Sequence, residues 1–470
     1  MEYISTRGAA PVLDFEGATL AGLASDGGLY LPSKWPTFSA AEITALRGLP
    51  YAELAARVMR PFVGDCLSEE RLRALCEEAY GAFSHDAVTP LAQLDAQHWL
   101  LELFHGPTLA FKDVALQLLG LLFEEFLARG DNHLTIVGAT SGDTGSAAID
   151  AVANRDRIDI FMLHPEGRIS DVQRRQMTTV RAPNVHNIAI DGSFDDAQAS
   201  VKRMFNDPAM TGRFHIGAVN SINWARLMAQ VVYYFAAALQ LGAPERRVAF
   251  SVPTGNFGDV FAGYVAAQMG LPVERLIVAT NVNDILHRAL SEGDYSAGEV
   301  TPTTAPSMDI QVSSNFERLL FDMSARDGAA MQAQMAGFET LRAMRLTDSQ
   351  HRGAAKLFTS VRADAEHTMQ AMRWAREACG ESIDPHTAIG LHAARATALP
   401  SDVPVVTLAT AHPAKFPNAV EQATGVRPGL PARVGDLFAR EERFDTLPGD
   451  YDALTGYISK RATLSPGAAR

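Results

Sequence analysis

The chain has 470 residues, of which 47% are hydrophobic and 20% charged, and its formal net charge is −13 at pH 7. This is ordinary globular composition with ample length for large cores, and the acidic balance argues against a nucleic-acid partner or an anionic membrane surface. Three scattered cysteines are too few for a disulfide framework or a metal cluster. A reducing, cytoplasmic setting is therefore expected, with Cys66 and Cys76 as small core residues.

The first hundred residues are rich in turns and then helical. Residues 25–36 (SDGGLYLPSKWP) read as a loop, while residues 39–50 and 68–83 carry helical patterns. Ser68, followed by acidic residues, is a plausible helix start. The N-terminal sequence lacks the basic and apolar regions of a secretory signal, and no apolar stretch has membrane-spanning length.

From Phe111 onward, apolar runs alternate with helical patterns. Residues 113–130 predict an amphipathic helix ending at Gly130. Strands are predicted at 134–139, 158–163, 185–190, 247–253, 275–280 and in 403–416, and helices at 141–154, 171–180, 194–207, 223–242 and 254–270. The tail, 427–462, is Pro-rich and then helical, and the last six residues (SPGAAR) are expected to fray. The alternation indicates an α/β fold with mostly parallel sheets in two halves and a cleft between them.

Two glycine-rich turns follow predicted strands. In VPTGNFGDVFAGY (252–264), Gly255 and Gly258 allow successive N–H groups to converge on an anion, aided by the helix that begins near Asp259. A plain strand-to-helix turn explains this loop equally well. In GATSGDTGSAA (138–148), hydroxyls and one carboxylate surround glycines, which suits a carboxylate or a phosphate. Taken alone, Asp143 is more readily explained as a helix N-cap.

The stretch HGPTLAFKDVALQ (105–117) places Lys112 between Phe111 and Asp113 at the start of an apolar helix. A lysine before a helix is usually a solvated charge. An apolar setting instead favours the neutral, nucleophilic amine, which forms Schiff bases with aldehydes. Two anion-binding loops and such a lysine on an α/β scaffold suggest pyridoxal phosphate. Thr410, after the strand in LATAHPAKF (408–416), offers a hydroxyl for the ring nitrogen, although its position alone favours a simple turn.

Several long motifs resemble one known family. YISTRG, SDGGLYLP, HGPTLAFKD, ATSGDTGSAA, VNSINWARLMAQ, PTGNFGD and ATAHPAKFP occur in the family's order from end to end of the chain. The chain thus resembles the threonine synthases of the longer bacterial and fungal type. The resemblance implies a fold type II pyridoxal-phosphate enzyme (tryptophan synthase beta-like), with two α/β domains of mostly parallel sheets plus an N-terminal segment.

The resemblance also implies boundaries and a reaction. The expected N-terminal domain is 1–95 and the catalytic region 96–470, whose smaller subdomain spans roughly 130–220. The expected reaction converts O-phospho-L-homoserine and water to L-threonine and phosphate. Another fold type II lyase, such as a dehydratase or a phospholyase on the same substrate, is the nearest alternative, and a non-catalytic nucleotide-binding protein is the alternative of a different class. The sequence does not distinguish a monomer from a homodimer.

The motifs carry implied roles for individual residues. Lys112 resembles the Schiff-base lysine and main proton shuttle. The expected cofactor-binding residues are Lys112, Phe111, Asp143, Gly255, Asn256, Phe257, Gly258, Asp259 and Thr410. The expected substrate-binding residues are Thr140, Ser141, Gly142, Thr144, Asn223 and Arg226, with Asn223 and Arg226 at the substrate phosphate. Wider relatives carry Asn where Asp143 stands, so the resemblance does not define its contact. His105 lies in the lysine motif with no role beyond proximity.

Overall fold

The computed structural model describes residues 1–130, 132–167 and 169–464, except for the side chain of Asp195. The predicted fraying of 465–470 lies outside the described residues. The strands are β1 (Tyr3–Ser5), β2 (Tyr30–Pro32), β3 (Leu91–Gln93), β4 (His98–Glu102), β5 (Leu134–Ala139), β6 (Ile158–Pro165), β7 (Val185–Asp191), β8 (His215–Gly217), β9 (Val248–Pro253), β10 (Val273–Thr280), β11 (Asp294–Ser296), β12 (Ala343–Arg345), β13 (Phe358–Arg362), β14 (Val405–Ala409) and β15 (Asp445–Pro448).

The helices connect and cover these strands. They are α1 (Phe15–Ala21), α2 (Ala40–Ala45), α3 (Tyr51–Val63), α4 (Glu69–Gly81), α5 (Lys112–Leu127), α6 (Asp143–Val152), α7 (Asp171–Thr178), α8 (Phe194–Asn206), α9 (Pro208–Thr211), α10 (Trp224–Gln240), α11 (Gly258–Gln268), α12 (Ile285–Glu292), α13 (Phe316–Met323), α14 (Gly328–Leu341), α15 (Asp348–Ala355), α16 (Ala365–Cys379), α17 (Pro385–Ala396), α18 (Pro417–Thr424) and α19 (Tyr451–Arg461). In the described part of the chain, no helix is long and apolar enough to cross a membrane.

The larger sheet has six strands in the order β13-β10-β9-β14-β4-β3. All neighbours are parallel except β3 and β4, which pair antiparallel. Strands β9 and β14 are buried along their whole length, as strands covered by helices on both faces are. Their carboxyl ends lead into the glycine turn at Gly255 and the turn at Thr410, which places both turns at one edge of the sheet.

The smaller sheet has five parallel strands in the order β15-β7-β6-β5-β8. Four of them come from residues 134–217, and β15 comes from the tail and pairs with β7 over Asp445–Pro448. The tail was expected to be Pro-rich and helical, and β15 was not predicted. The run DTLP contains a proline and only one partly buried apolar residue, so its strand conformation depends on the partner strand.

The helix after the lysine is buried on nearly every side. It ends at Leu127 rather than Gly130, and residues 112–123 are all buried, with Glu124 its only exposed position. The prediction of an amphipathic helix was therefore wrong. Helix α5 contacts α4, α6 and α10, so apolar side chains point outward from it on several faces. Its start is thus held rigidly in the interior.

The N-terminal segment closes one side of the core. Its strands β1 and β2 form an antiparallel pair, and the Tyr3 hydroxyl donates to the Phe62 carbonyl at 2.9 Å. Ser68 caps α4 by accepting the Arg71 N–H at 3.1 Å, which confirms the predicted helix start. Cys76 is fully buried as expected. Cys66 is only partly buried, so the prediction of a core position was wrong for it.

Candidate active site

Lys112 is the first residue of α5, and its side chain is almost entirely buried. Its Nζ lies 4.7 Å from the centre of the Phe111 ring and 3.6 Å from Asp143 Oδ2. Burial lowers the pKa of Lys112; Asp143 opposes this shift, and Lys415 and Arg226 reinforce it. An amine with a depressed pKa has a larger neutral fraction, which is the nucleophilic form.

The backbone around Lys112 is bound to the turn after β14. The Phe111 N–H donates to the Thr410 carbonyl at 2.8 Å, and the His412 N–H donates to the Leu109 carbonyl at 3.0 Å. Leu109 has a positive φ of 65°, a conformation that such contacts must hold. The structure thereby brings Lys112 and Thr410, which are far apart in sequence, to one place.

Asp143 does not cap its helix. Gly142 occupies the N-cap position of α6, and Asp143 turns inward instead. Its Oδ1 accepts from Gln173 Nε2 at 2.8 Å and lies 2.9 Å from Lys415 Nζ. Burial opposes ionisation here, but the charges of Lys415 and then Lys112 hold the pKa of Asp143 well below its usual range. Asp143 is therefore a buried, ionised carboxylate.

Residues 140–144 form a rigid turn beside Asp143. The Thr140 hydroxyl oxygen accepts the N–H groups of Gly142 and Gly145, both at 2.9 Å. Gly142 has a φ of 132°, and a Cβ there would lie 2.6 Å from the Gln173 side chain. Ser141 and Thr144 are partly exposed, whereas Gly142 and Asp143 between them are buried.

The turn between β9 and α11, which we call the glycine loop (254–258), leaves backbone donors free. Gly255 and Asn256 offer their carbonyls to Ser313 Oγ at 2.7 Å and to the Asn315 N–H at 3.1 Å. Among residues 1–130, 132–167 and 169–464, no acceptor binds the N–H groups of residues 255–258. Phe257 has a positive φ of 61° at the helix N-cap. Four unbound donors at a helix N-terminus form an arrangement that can bind an anion.

Asp259, next to the glycine loop, is bound by two tyrosines. Its Oδ1 accepts from the Tyr233 and Tyr234 hydroxyls of α10, whereas its Oδ2 has no partner among the described residues. Burial raises the pKa of Asp259 to about 6, although the tyrosine hydrogen bonds oppose this. A carboxyl with a raised pKa lies beside an anion site at a lower electrostatic cost than an ordinary aspartate would.

Asn223 and Arg226 begin helix α10. Asn223 is fully buried; its Oδ1 accepts the Ala225 N–H and its Nδ2 donates to the Thr19 carbonyl at 2.9 Å. Arg226 Nη1 donates to the Val219 carbonyl at 2.8 Å, while its buried Nε has no acceptor among the described residues. Burial lowers the pKa of Arg226 to about 10. Asn223 thus holds the helix start, and Arg226 supplies a cation with spare donor capacity.

Thr410 is held from a second side by α17. Its N–H donates to the Thr387 hydroxyl at 3.2 Å, and Thr387 in turn donates to the fully buried Asp384. His105 pairs with a different residue, since its Nε2 lies 2.7 Å from Glu102 Oε2. No signal in the sequence pointed to Asp384 or Lys415, because their burial depends on contacts distant along the chain.

These groups fit pyridoxal phosphate. The glycine loop offers unbound N–H donors for the phosphate, and Lys112 is a buried amine with a depressed pKa. The tight packing behind the loop is consistent with this use, since a Cβ on Gly255 would lie only 2.7 Å from the Ser307 carbonyl oxygen. Arg226 and Lys415 add positive charge around Lys112, opposed there by the carboxylate of Asp143, which suits a cofactor and a substrate that each carry a phosphate.

Three family models match this chain. Residues 2–80 match the threonine synthase N terminus, 83–411 the pyridoxal-phosphate dependent enzymes, and 387–458 the C-terminal region of threonine synthase. The threonine synthase of Pseudomonas aeruginosa is 55% identical over 98% of both chains. A human protein named threonine synthase-like 2 is 37% identical, covering 94% of this chain and 93% of its own.

Solved structures agree. A pyridoxal-phosphate-bound threonine synthase from Brucella melitensis superposes with a TM-score of 0.95 at 52% identity, covering 98% of this chain and 99% of its own. The threonine synthase of Escherichia coli superposes with a TM-score of 0.83 at 33% identity, covering 98% of this chain and all of its own. The predicted fold type II class is confirmed. The chain belongs to the threonine synthase family of pyridoxal-phosphate-dependent enzymes.

Proposed function

We propose that this protein converts O-phospho-L-homoserine and water to L-threonine and phosphate with pyridoxal phosphate as cofactor. The observation that carries the proposal is the buried Lys112 amine, 3.6 Å from an ionised carboxylate and within electrostatic reach of Arg226. One phosphate is expected at the N–H groups of the glycine loop and the other at Arg226. Arginine suits the latter, since its forked donors match phosphate oxygens.

The position of each residue indicates its proposed role in the reaction. Pyridoxal phosphate, when bound, supplies an aldehyde for amines and a ring that withdraws electrons from the substrate's α-carbon. Lys112 Nζ is the base that removes the α-proton and later returns protons to the substrate chain. The Thr410 hydroxyl would be the partner of the ring nitrogen, and Phe111 would supply the apolar wall that keeps water from the amine. Arg226 holds the substrate phosphate until the bond from carbon to its oxygen breaks.

Ser141 and Thr144 are partly exposed and lie on a turn held by Thr140, and their hydroxyls are proposed to bind the substrate carboxylate. Asn223 contributes by fixing the start of α10. One hydrogen of its Nδ2 donates to the Thr19 carbonyl, and we propose that the other donates to the substrate phosphate. Asn256, Phe257, Gly258 and Asp259 shape the cofactor phosphate site. These assignments rest on the positions of the side chains and on the family's motifs.

The proposed domains follow the sheets except at β3, which lies before residue 95 but pairs with β4 of the larger sheet. The N-terminal domain is 1–95 and the catalytic region 96–470, within which the smaller unit spans roughly 130–220. To that unit we add β15 and α19, because β15 completes its sheet. The acidic chain is proposed to act in the cytoplasm on a small molecule and without nucleic acid.

The decisive test incubates the purified protein with O-phospho-L-homoserine and measures threonine, 2-oxobutyrate and phosphate together. Threonine and phosphate in equal amounts support the proposal. Phosphate with 2-oxobutyrate instead of threonine would identify a phospholyase on the same substrate. A visible absorbance band that borohydride removes, and that Lys112→Ala lacks, separates an enzyme of this class from a non-catalytic binding protein.

A further inference from the structure

A second lysine, Lys415, is buried more deeply than Lys112. It ends the short turn Pro413–Lys415 that follows β14, and its side chain is 0% exposed. Its Nζ donates to the Thr108 carbonyl at 2.7 Å and to Asp143 Oδ1 at 2.9 Å. Burying an ammonium ion is costly unless it is paired and hydrogen-bonded, and Lys415 has both kinds of partner.

Asp143 divides its two oxygens between the two lysines. Oδ1 lies within hydrogen-bonding distance of Lys415 and accepts from Gln173. Oδ2 is 3.6 Å from Lys112 Nζ, beyond the usual range of such a bond. The stronger ion pair therefore belongs to Lys415, although Lys112 is the residue expected to react.

We propose that Lys415 is a positioning residue that engages the carboxylate of Asp143 and so leaves the Lys112 amine only weakly paired and available to an aldehyde. The proposal rests on the proposed function for the role of Lys112. Its physical content concerns only residues of this chain. With Lys415 present, Asp143 is a shared counterion; without it, Asp143 would pair with Lys112 alone and stabilise its ammonium form.

Other titratable groups lie around this cluster and contribute to its electrostatics. They come from α5, α10, α11 and α17, respectively: Asp113, Arg226, Asp259 and His386. The Asp113 carboxylate accepts the Thr108 N–H and hydroxyl, so Thr108 joins it to Lys415. Arg226 acts on Lys112 in the same direction as Lys415, since both disfavour a further positive charge. None of these groups lies as close to Asp143 Oδ1 as Lys415 among the contacts of the described residues.

The test measures how fast Lys112 reacts with acetic anhydride in the protein freed of cofactor, as a function of pH. Only the neutral amine reacts, so the acetylation rate of Lys112 reports its neutral fraction. Mass spectrometry of the peptide that contains Lys112 measures this rate. In Lys415→Gln, which keeps a donor but no charge, Lys112 should react about tenfold more slowly near neutral pH. In Asp143→Asn the rate should rise, because the counterion of Lys112 is lost.

The opposite signs separate the proposal from a structural role, since a loosened site would speed acetylation in both variants. The exposed Lys34 and Lys356 serve as internal references. Lys415→Arg keeps the charge and should react at nearly the original rate. An unchanged or faster rate in Lys415→Gln overturns the proposal, as does a rate in Lys415→Arg as slow as in Lys415→Gln. If Lys415→Gln does not fold, the absence of acceleration in Asp143→Asn overturns it alone. The measurement uses neither cofactor nor substrate, so its failure is distinguishable from failure of the proposed reaction.

Discussion

Replacing Gly255 by alanine tests the proposed phosphate site directly. The new Cβ would lie 2.7 Å from the Ser307 carbonyl oxygen and 3.5 Å from Met308 Cα. Both are backbone atoms, so no side-chain rotation relieves the contact, and the glycine loop must move. Overpacking of this kind costs about 1–3 kcal/mol. If this cost destabilises the cofactor-bound conformation of the loop but not the free one, pyridoxal phosphate should bind about 5- to 150-fold more weakly.

The assay titrates the cofactor-free protein with pyridoxal phosphate and, separately, with pyridoxal. Pyridoxal lacks the phosphate, so its affinity should change far less than that of pyridoxal phosphate. Gly337→Ala is the matched control: Gly337 lies within α14, and a Cβ there meets nothing within 4 Å. That change should leave binding intact and raise stability slightly. Unaltered affinity for pyridoxal phosphate in Gly255→Ala, or equal losses for both ligands, would refute the assignment of the loop.

Three further predictions follow from other contacts. Arg226→Met should abolish turnover of O-phospho-L-homoserine while the cofactor still binds, because the spare donors of Arg226 are assigned to the substrate phosphate. Steady-state kinetics measures the turnover and the visible absorbance band measures the bound cofactor; full turnover would contradict the assignment. Asp259→Asn should raise the melting temperature of the cofactor-free protein about twice as much at pH 8 as at pH 5. A carboxyl whose pKa is about 6 in the folded protein against 3.8 in the unfolded chain loses about 3 kcal/mol of stability as the pH rises through that window, and about half of this loss is complete at pH 5. A gain equal at both pH values would argue against the charge as its cause. Ser68→Ala should lower the free energy of unfolding by about 1 kcal/mol, because the Arg71 N–H loses its acceptor, and should leave cofactor affinity unchanged. Denaturant unfolding measures the change in stability, and titration with pyridoxal phosphate measures the affinity.

Long apolar runs allowed much of the fold to be predicted. LTIVGA and RVAFSVP form the buried strands β5 and β9 as expected, because such runs suit strands covered on both faces. The strands of three residues in the N-terminal segment were missed, since YIS and YLP are too short to show a period. The tail strand β15 was missed because its conformation depends on β7 rather than on its own residues.

The site was predictable where a motif was long and unpredictable where a role depends on tertiary contacts. The motif around Lys112 marked a reactive amine, and the structure buries that amine beside Asp143. Lys415 lies in the motif ATAHPAKFP, but a lysine among Ala and Phe gives no local sign that it is fully buried. The hydrogen bond from Asn223 Nδ2 to the Thr19 carbonyl was equally hidden, because the two residues are 204 positions apart.

The late arrival of β15 has a consequence for how the protein emerges from the ribosome. Strand β7 ends at Asp191, and its partner begins at Asp445, so about 250 residues must be synthesised before the smaller sheet can close. At about 5–20 residues per second, β7 stays an open edge for on the order of 10–50 s. Open edges template pairing with other chains. Nascent chains of this protein are therefore most prone to aggregation in that interval, and a stop before residue 445 would make the condition permanent.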